Sequence, residues 1–188
     1  MPRDLTGRGT ARGEAAIRAA YEREGPEEFY RRHGGDYRNP HEHIVQAILV
    51  QAVAAWRLDL GRVLDLACGS GEATMALREL GAAVEGTDPF TGDAYLARTG
   101  ARALPLSFEN VAWGALAGQQ FSLIVCSFAL HLLEESRLPA LCYALSRISP
   151  ALLVITPIKR PQIKPAWSWT LTGELLHERV RARLYAAR

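Results

Sequence analysis

The sequence predicts an α/β fold with a doubly wound, mostly parallel sheet. Short apolar runs alternate along the chain with segments whose apolar residues recur at helical spacing. Glycines mark the ends of two of these helical segments, at Gly81 and Gly100. Parallel strands need a crossover connection, and the intervening helices would supply it. A chain of 188 residues has room for one such domain.

The first part of the chain predicts helices that precede the sheet. Gly25 separates two short helical segments, over 14–23 and 26–33. A longer helix is predicted from Ile44 to Trp56, because its apolar residues follow helical spacing. We therefore expect residues 1–43 to form an N-terminal extension and residues 44–188 to form the main domain.

The main domain alternates between strands and helices. Apolar runs predict strands over 63–66, 83–87, 102–106, 122–126 and 151–155. Helices are predicted over 72–80, 93–98 and 139–148. Basic and apolar residues then alternate over 179–186, which predicts a further strand at a half-exposed sheet edge. We expect six strands in all, or a seventh that is reduced to a stub near 167–170.

Composition argues against several classes of protein. No apolar run approaches the roughly 18 residues that a membrane span needs, and the N-terminus lacks the apolar stretch of a secretory signal. Cys68, Cys126 and Cys142 form no C-x-x-C pair, which excludes a disulfide framework and a cysteine zinc site. These features predict a cytoplasmic protein without a membrane partner.

The formal net charge of +2 is small but unevenly distributed. Residues 158–188 hold seven Lys and Arg side chains against two Glu side chains. Such a surface can attract phosphate or an acidic substrate. The strand-like alternation of Arg179, Arg181 and Arg183 with apolar residues favours a solvated strand face instead.

Residues 63–74, VLDLACGSGEAT, carry the strongest functional signal. A strand containing Asp65 breaks into a glycine loop that opens a helix, an arrangement that holds nucleotide-like ligands. Thr74 occupies the third glycine position of the dinucleotide fingerprint, and the Asp65 carboxylate would repel a pyrophosphate. S-Adenosylmethionine has no phosphate and carries a cationic ammonium and a sulfonium, so the motif favours this ligand.

This segment resembles the first motif of the class I S-adenosylmethionine-dependent methyltransferases, with Ala67 where many members have the first glycine. Two further segments follow in the family's order. AAVEGTDPF places Asp88 at the end of the second strand, and FSLIVCSFALHLL, over 121–133, is similar to the fourth strand and its loop. The resemblance covers residues 44–157. It implies a Rossmann-like methyltransferase sheet whose last strand is antiparallel to the fifth.

The resemblance also implies a set of cofactor-binding residues after the strands. Asp88 would accept hydrogen bonds from both ribose hydroxyls, and Asp65 would orient the methionine end. Either Glu109 or Asn110 would face the adenine amino group, and the sequence does not choose between them. The full expected set is Asp65, Ala67, Cys68, Gly69, Gly71, Asp88, Pro89, Glu109, Asn110, Ser127 and Phe128.

Two residues are candidates for the chemical step. His131 follows the fourth strand and would serve as a general base, although a core histidine bonded to a backbone carbonyl is an equal alternative. Tyr37 lies in the polar run HGGDYRNPHEH, which either covers the cofactor as a lid or caps the next helix.

Candidate acceptor contacts flank the cofactor residues along the chain. Arg38 and His41 belong to the same polar run, and Trp169 follows the fifth strand, where a core role is equally compatible. No metal site is predicted, since the spacing of His41 and His43 points them apart on a helix.

The sequence therefore predicts a methyltransferase that acts on an O, N or S atom of a small molecule, because no added domain is available to recognise a macromolecule. Two alternatives stay open. In the first, the acceptor is RNA or protein, bound through the basic C-terminal strand. In the second, the chain is a non-catalytic subunit that holds S-adenosylmethionine for a partner. Neither the acceptor nor the oligomeric state follows from the sequence.

Overall fold

The computed structural model describes residues 23, 25–36, 39 and 41–188, which form an α/β fold around one sheet. The described strands lie in the order β2-β1-β3-β4-β6-β5. Strand β6 is antiparallel to both of its neighbours, and the other pairs are parallel. This confirms the predicted six-stranded, mostly parallel sheet with one antiparallel strand. The strands are β1 (Val63–Leu66), β2 (Val84–Thr87), β3 (Leu123–Ser127), β4 (Ala151–Thr156), β5 (Trp169–His177) and β6 (Val180–Ala187).

Helices cover both faces of the sheet. Side chains of successive strand residues point to opposite faces. Val63 and Leu123 pack with α2 and α3, whereas Leu64 and Ile124 pack with α5 and α6. Each of these four side chains is fully buried, and burial of one such side chain contributes about 1.5–3 kcal/mol. The helices are α1 (Pro26–His33), α2 (Glu42–Trp56), α3 (Glu72–Glu79), α4 (Gly92–Thr99), α5 (Phe108–Ala112) and α6 (Leu138–Ser146).

The six strands are not the six that the sequence predicts. The segment over 102–106 is not a strand, because its pairing is limited to one bridge between Leu104 and Thr87. Strand β5 extends over nine residues where a stub was the alternative. Gly173 breaks its register, and a Cβ there would lie 2.6 Å from the Trp56 ring. Glycine is therefore required where α2 packs on β5.

Strand β6 lies inside the sheet, between β4 and β5, and not at its edge. The prediction of a solvated basic face is wrong for Arg183, whose side chain is 4% exposed. Arg183 Nε donates to Glu174 Oε2 at 2.5 Å, so this guanidinium has a charged partner within the hairpin. The β5–β6 hairpin thus satisfies a buried cation, as burial of charge requires.

The described N-terminal region contains α1, at the residues that the sequence predicts, followed by a short 3-10 turn over Gly34–Asp36. The predicted helix over 14–23 lies outside the described residues apart from Arg23. A search of the described helices finds none whose length and apolarity would suffice to cross a membrane.

Candidate functional site

A cavity of about 650 Å³ opens where β1, β2 and β3 end. This is the edge at which open α/β sheets bind ligands. The loops after β1, β2 and β3 all contribute to its lining. The predicted residues that line it are Ala67, Cys68, Gly69, Asp88, Pro89, Glu109, Ser127 and Phe128. The structure therefore brings together most of the residues that the family resemblance implies.

The loop after β1 has a left-handed backbone at three positions. Ala67, Gly69 and Gly71 have φ values of 57°, 55° and 90°. At Gly71 a Cβ would lie 2.7 Å from the Thr99 side chain, so glycine is needed there for contact with α4. Gly71 itself does not line the cavity and acts through the shape of the loop.

Asp88 joins the loops that follow β1 and β2. Its Oδ1 accepts hydrogen bonds from the backbone N–H groups of Phe90 (2.9 Å) and Thr91 (3.0 Å), and its Oδ2 accepts one from Gly69 N–H (3.2 Å). Thr91 Oγ1 donates in return to the Gly69 carbonyl at 2.7 Å. Backbone groups thus fix the carboxylate at the cavity wall.

Asp65 is fully buried and does not itself line the cavity. Thr74 Oγ1 donates to its Oδ2 at 2.7 Å, while Oδ1 has no hydrogen-bond partner among the described residues. Burial, with a smaller contribution from the nearby carboxylates of Glu72 and Asp88, raises the Asp65 pKa to about 7, although the hydrogen bonds from Thr74 act to lower it. A cationic ligand group above this carboxyl would stabilise its ionised form.

Glu72 is a site residue that the sequence reasoning missed. It lines the cavity at the start of α3 and is 5% exposed. It accepts hydrogen bonds from Ser70 Oγ, from Asn39 N–H at 3.1 Å and from Arg98 Nη1 at 3.2 Å. The detectable signal is an acidic residue directly after the glycine loop, at a helix N-terminus where acids are favourable.

The N-terminal region borders the cavity from the solvent side. Gly25, Tyr30 and Asn39 line it. Close packing holds the region in place, because a Cβ at Gly34 would lie 2.4 Å from the Phe90 carbonyl oxygen. The catalytic candidate Tyr37 and the acceptor candidate Arg38 lie outside the described residues.

His41 begins the next helix beside the cavity. Its ring stacks on Phe128, with 5.1 Å between ring centroids and 21° between planes. Phe128 lines the cavity, and its backbone φ of 54° places it in the left-handed region of backbone conformations. His41 therefore contacts the site through Phe128 and does not itself line the cavity.

His131 lies on the 3-10 turn Leu130–Leu132 after β3 and faces a second cavity, of about 400 Å³. Its Nδ1 is buried without a hydrogen-bond partner among the described residues. Desolvation lowers the His131 pKa below its ordinary value of 6.5. His131 does not line the first cavity, and the residue of this turn region that lines both cavities is Leu133.

Three predicted site residues have different surroundings. Glu109 lines the cavity and accepts a hydrogen bond from Arg137 Nη1 at 2.5 Å. Asn110 does not line it, because its side chain forms a reciprocal capping box with Ser107 at the start of α5. Trp169 is fully buried in the core, and its indole donates to the Cys142 carbonyl at 2.8 Å. The structure thus places Glu109, and neither of the other two, at the cavity.

The chemistry of the cavity fits S-adenosylmethionine. Four carboxylates face it against one described guanidinium, that of Arg137, so the site favours a cation. Apolar side chains that include Leu106 and Phe108 supply walls for an aromatic base. The described residues contain no group of three or more metal-ligating side chains placed to hold a metal ion. The carboxylates are those of Glu72, Asp88, Glu109 and Glu134.

Comparison with known sequences agrees with this geometry. A family model described as a methyltransferase domain matches residues 63–149. An uncharacterized protein of Schizosaccharomyces pombe is 33% identical over 223 aligned positions, which cover 88% of this chain and 90% of that protein. The similarity to this relative therefore extends beyond the residues that the family model matches.

Solved structures show the same fold. Magnesium protoporphyrin IX methyltransferase from Synechocystis, with bound S-adenosylmethionine, superposes with a TM-score of 0.59 at 18% identity, covering 96% of this chain and all of that one. A TehB-like methyltransferase from Corynebacterium glutamicum gives 0.59 at 16% identity, with 93% and 100% covered. These structures show the fold of the chain, and the family match identifies residues 63–149 as a methyltransferase domain, for which S-adenosylmethionine is the cofactor.

Proposed function

We propose that this protein transfers a methyl group from S-adenosylmethionine to an O, N or S atom of a small molecule. The observation that carries the proposal is the cavity of about 650 Å³, whose volume lies in the range of small-molecule sites. Residues of the N-terminal region and of three strand ends line it together. A cavity of this size with such a lining suits a small acceptor.

The residues divide the binding task by their positions. Asp88 is assigned to the ribose hydroxyls, since charge-assisted hydrogen bonds to a carboxylate are strong. The backbone from Ala67 to Gly69 is assigned to the methionine portion, and Glu109 to the adenine amino group. Asp65 is assigned to orient the methionine end from beneath the loop. These assignments rest on the family resemblance and on the positions of the residues at the cavity.

S-Adenosylmethionine supplies a methyl group that its sulfonium already activates. The protein must therefore hold the acceptor atom in line and exclude water. We assign the N-terminal region, residues 1–43, the role of a cover that closes on the cofactor. Its described residues Tyr30 and Asn39 lie on the cavity, and the Asn39–Glu72 hydrogen bond ties it to the cofactor loop.

We assign His131 the proton-accepting role where the acceptor atom carries a proton. Its lowered pKa keeps the imidazole neutral near pH 7, as a base requires. Its buried Nδ1 has no competing hydrogen bond among the described residues. Tyr37 keeps its place as a second candidate from the sequence.

Neither alternative gains support from the structure. An acceptor RNA would need accessible cations on β6, yet both Arg181 and Arg183 pair with Glu174, at 3.0 and 2.5 Å. A non-catalytic subunit is disfavoured because the cofactor loop and Asp88 keep the features that cofactor binding needs.

Two measurements test the proposal. Mass spectrometry of the denatured protein identifies any co-purified ligand, and calorimetry measures S-adenosylhomocysteine affinity. We expect S-adenosylhomocysteine binding and no NAD binding. A panel of small hydroxyl, amine and thiol acceptors with S-adenosylmethionine should then release S-adenosylhomocysteine. Tight binding of NAD without S-adenosylhomocysteine binding would contradict the cofactor assignment, and turnover of RNA or protein alone would contradict the acceptor class.

A further inference from the structure

The second cavity has a charge opposite to that of the first. Three cationic side chains among the described residues line it, those of Lys159, Arg160 and Lys164, against the single carboxylate of Glu135. The first cavity presents four carboxylates against one guanidinium. The cofactor's cationic groups therefore belong in the first cavity, and an anion belongs in the second.

Two of the three cations form no ion pair with a described carboxylate, and the charge of Arg160 acts on Glu135 only from beyond ion-pair distance. Lys164 Nζ pairs with Glu135 Oε1 at 2.7 Å and also lies 4.9 Å above the Trp167 ring. Among the described residues, no carboxylate lies within ion-pair distance of Lys159 or Arg160. A positively charged lysine and a forked guanidinium side by side form a good anion site.

The backbone that carries these two residues is held from the hairpin. Arg183 Nη1 donates to the carbonyls of Lys159 at 2.9 Å and Pro161 at 3.0 Å. Thr156 Oγ1 donates to the Arg160 carbonyl at 3.0 Å. A buried cation thus fixes the loop, which leaves the side chains of Lys159 and Arg160 exposed for a ligand.

One loop separates the two cavities. The 3-10 turns after β3 place Leu132 and Glu134 on the first cavity and His131 and Glu135 on the second. Leu133 lines both. A small molecule that lies across Leu133 would present one end to the methyl donor and the other to the cations.

We propose that the methyl acceptor carries an anionic group, a carboxylate or a phosphate, which Lys159 and Arg160 bind in the second cavity. The inference rests on the proposed function, because it names the acceptor class of that same site. It gives the loop after β4 a specificity role: the anion fixes one end of the acceptor in the cavity that His131 also lines, and Leu133 lies between that cavity and the donor.

The test uses inorganic phosphate and acetate as probes on the full chain saturated with S-adenosylhomocysteine. Amide NMR spectra are followed at constant ionic strength, with chloride as the reference anion. We expect saturable shifts at residues 131–135 and 159–164, and the tighter probe identifies the anion class. Replacing both residues, as Lys159→Gln with Arg160→Gln, should weaken binding by about tenfold or more.

Arg147→Gln is the matched control, because Arg147 is an exposed cation at the opposite end of α6. It should leave the anion shifts unchanged, and S-adenosylhomocysteine affinity should be the same in all variants.

Unsaturable shifts, or equal anion binding by the double variant and the wild type, would overturn the inference while leaving the cofactor assignment intact. If the wild-type protein does not bind S-adenosylhomocysteine, the proposed function itself is refuted. Tighter binding of a single-stranded RNA than of phosphate, with steep salt dependence, would indicate that the acceptor is a nucleic acid and overturn the proposal of a small acceptor.

Discussion

The backbone N–H of Asn39 donates a hydrogen bond to Glu72 Oε1 across 3.1 Å. The same oxygen accepts from Arg98 Nη1, at 3.2 Å. One buried carboxylate thus links the N-terminal region, the start of α3 and the end of α4. Ser70 of the glycine loop also donates to this carboxylate, so the loop and the N-terminal region share one hydrogen-bond acceptor.

Glu72→Ala should loosen the N-terminal region. The substitution leaves the Asn39 N–H and the Arg98 guanidinium without this acceptor, at a cost of about 1–3 kcal/mol for an unsatisfied buried group. Hydrogen exchange at residues 25–41 should be faster, and binding of S-adenosylhomocysteine should restore less protection than in the wild type. Glu79→Ala, at the exposed end of the same helix, is the control. Equal exchange in the two variants would show that Glu72 does not hold this region.

Asp88→Ala should weaken S-adenosylhomocysteine binding by about 1.5–3 kcal/mol, through loss of charged hydrogen bonds to the ribose. It also removes the acceptor for three backbone N–H groups, so its melting temperature should fall. Asp88→Asn keeps one oxygen for those N–H groups and should recover part of the melting temperature but little of the affinity. Calorimetry and thermal unfolding measure both. Full affinity in Asp88→Asn would argue against a role for the charge.

Asp65 should make stability depend on pH. Its folded pKa of about 7 lies above the ordinary value of 3.8, so the folded state holds the proton more tightly. The stabilisation is complete below pH 3.8, declines as pH rises and is lost above about 7. Relative to Asp65→Asn, the wild type's free energy of unfolding should fall by up to about 1.4 kcal/mol per pH unit in this window. Denaturant unfolding of both proteins measures the difference, and a flat difference would place the Asp65 pKa near its ordinary value.

His131 should titrate below pH 6.5, because desolvation disfavours its charged form. NMR of the ring protons measures this without an acceptor. Once an acceptor is found, kcat/KM should fall at low pH with the same pKa, and His131→Gln should lower kcat and remove that limb of the profile. An unchanged pH profile in His131→Gln would show that His131 is not the base and only packs in the lining of the second cavity.

Local sequence features predicted most of the residues that line the first cavity at the ends of β1, β2 and β3. The loop of residues 67–71 and Asp88 are determined by a strand, a glycine spacing and an acid that lie close together in sequence. Glu72 escaped notice because its partners Asn39 and Arg98 lie 33 and 26 residues away. Contacts between residues so far apart in sequence produce no local sequence pattern.

The C-terminal part was harder to predict for a related reason. Gly173 weakens the strand pattern of β5, yet it is required by the Trp56 ring from a distant helix. Arg183 has the alternation of an exposed strand, and its burial depends on the carbonyls of Lys159 and Pro161. Trp169 was open to both a pocket and a core role, and the Cys142 carbonyl accounts for its place in the core.

In the proposed acceptor site, the contacts of Arg183 give the β5–β6 hairpin a part in acceptor choice. The residues that we assign to the methyl donor do not extend past Phe128, whereas the backbone of Lys159 and Pro161 is held by the Arg183 guanidinium of β6. Under this proposal, cofactor binding and acceptor binding depend on different segments of the chain. Substitutions in the hairpin could then alter the preferred acceptor while cofactor affinity stays the same.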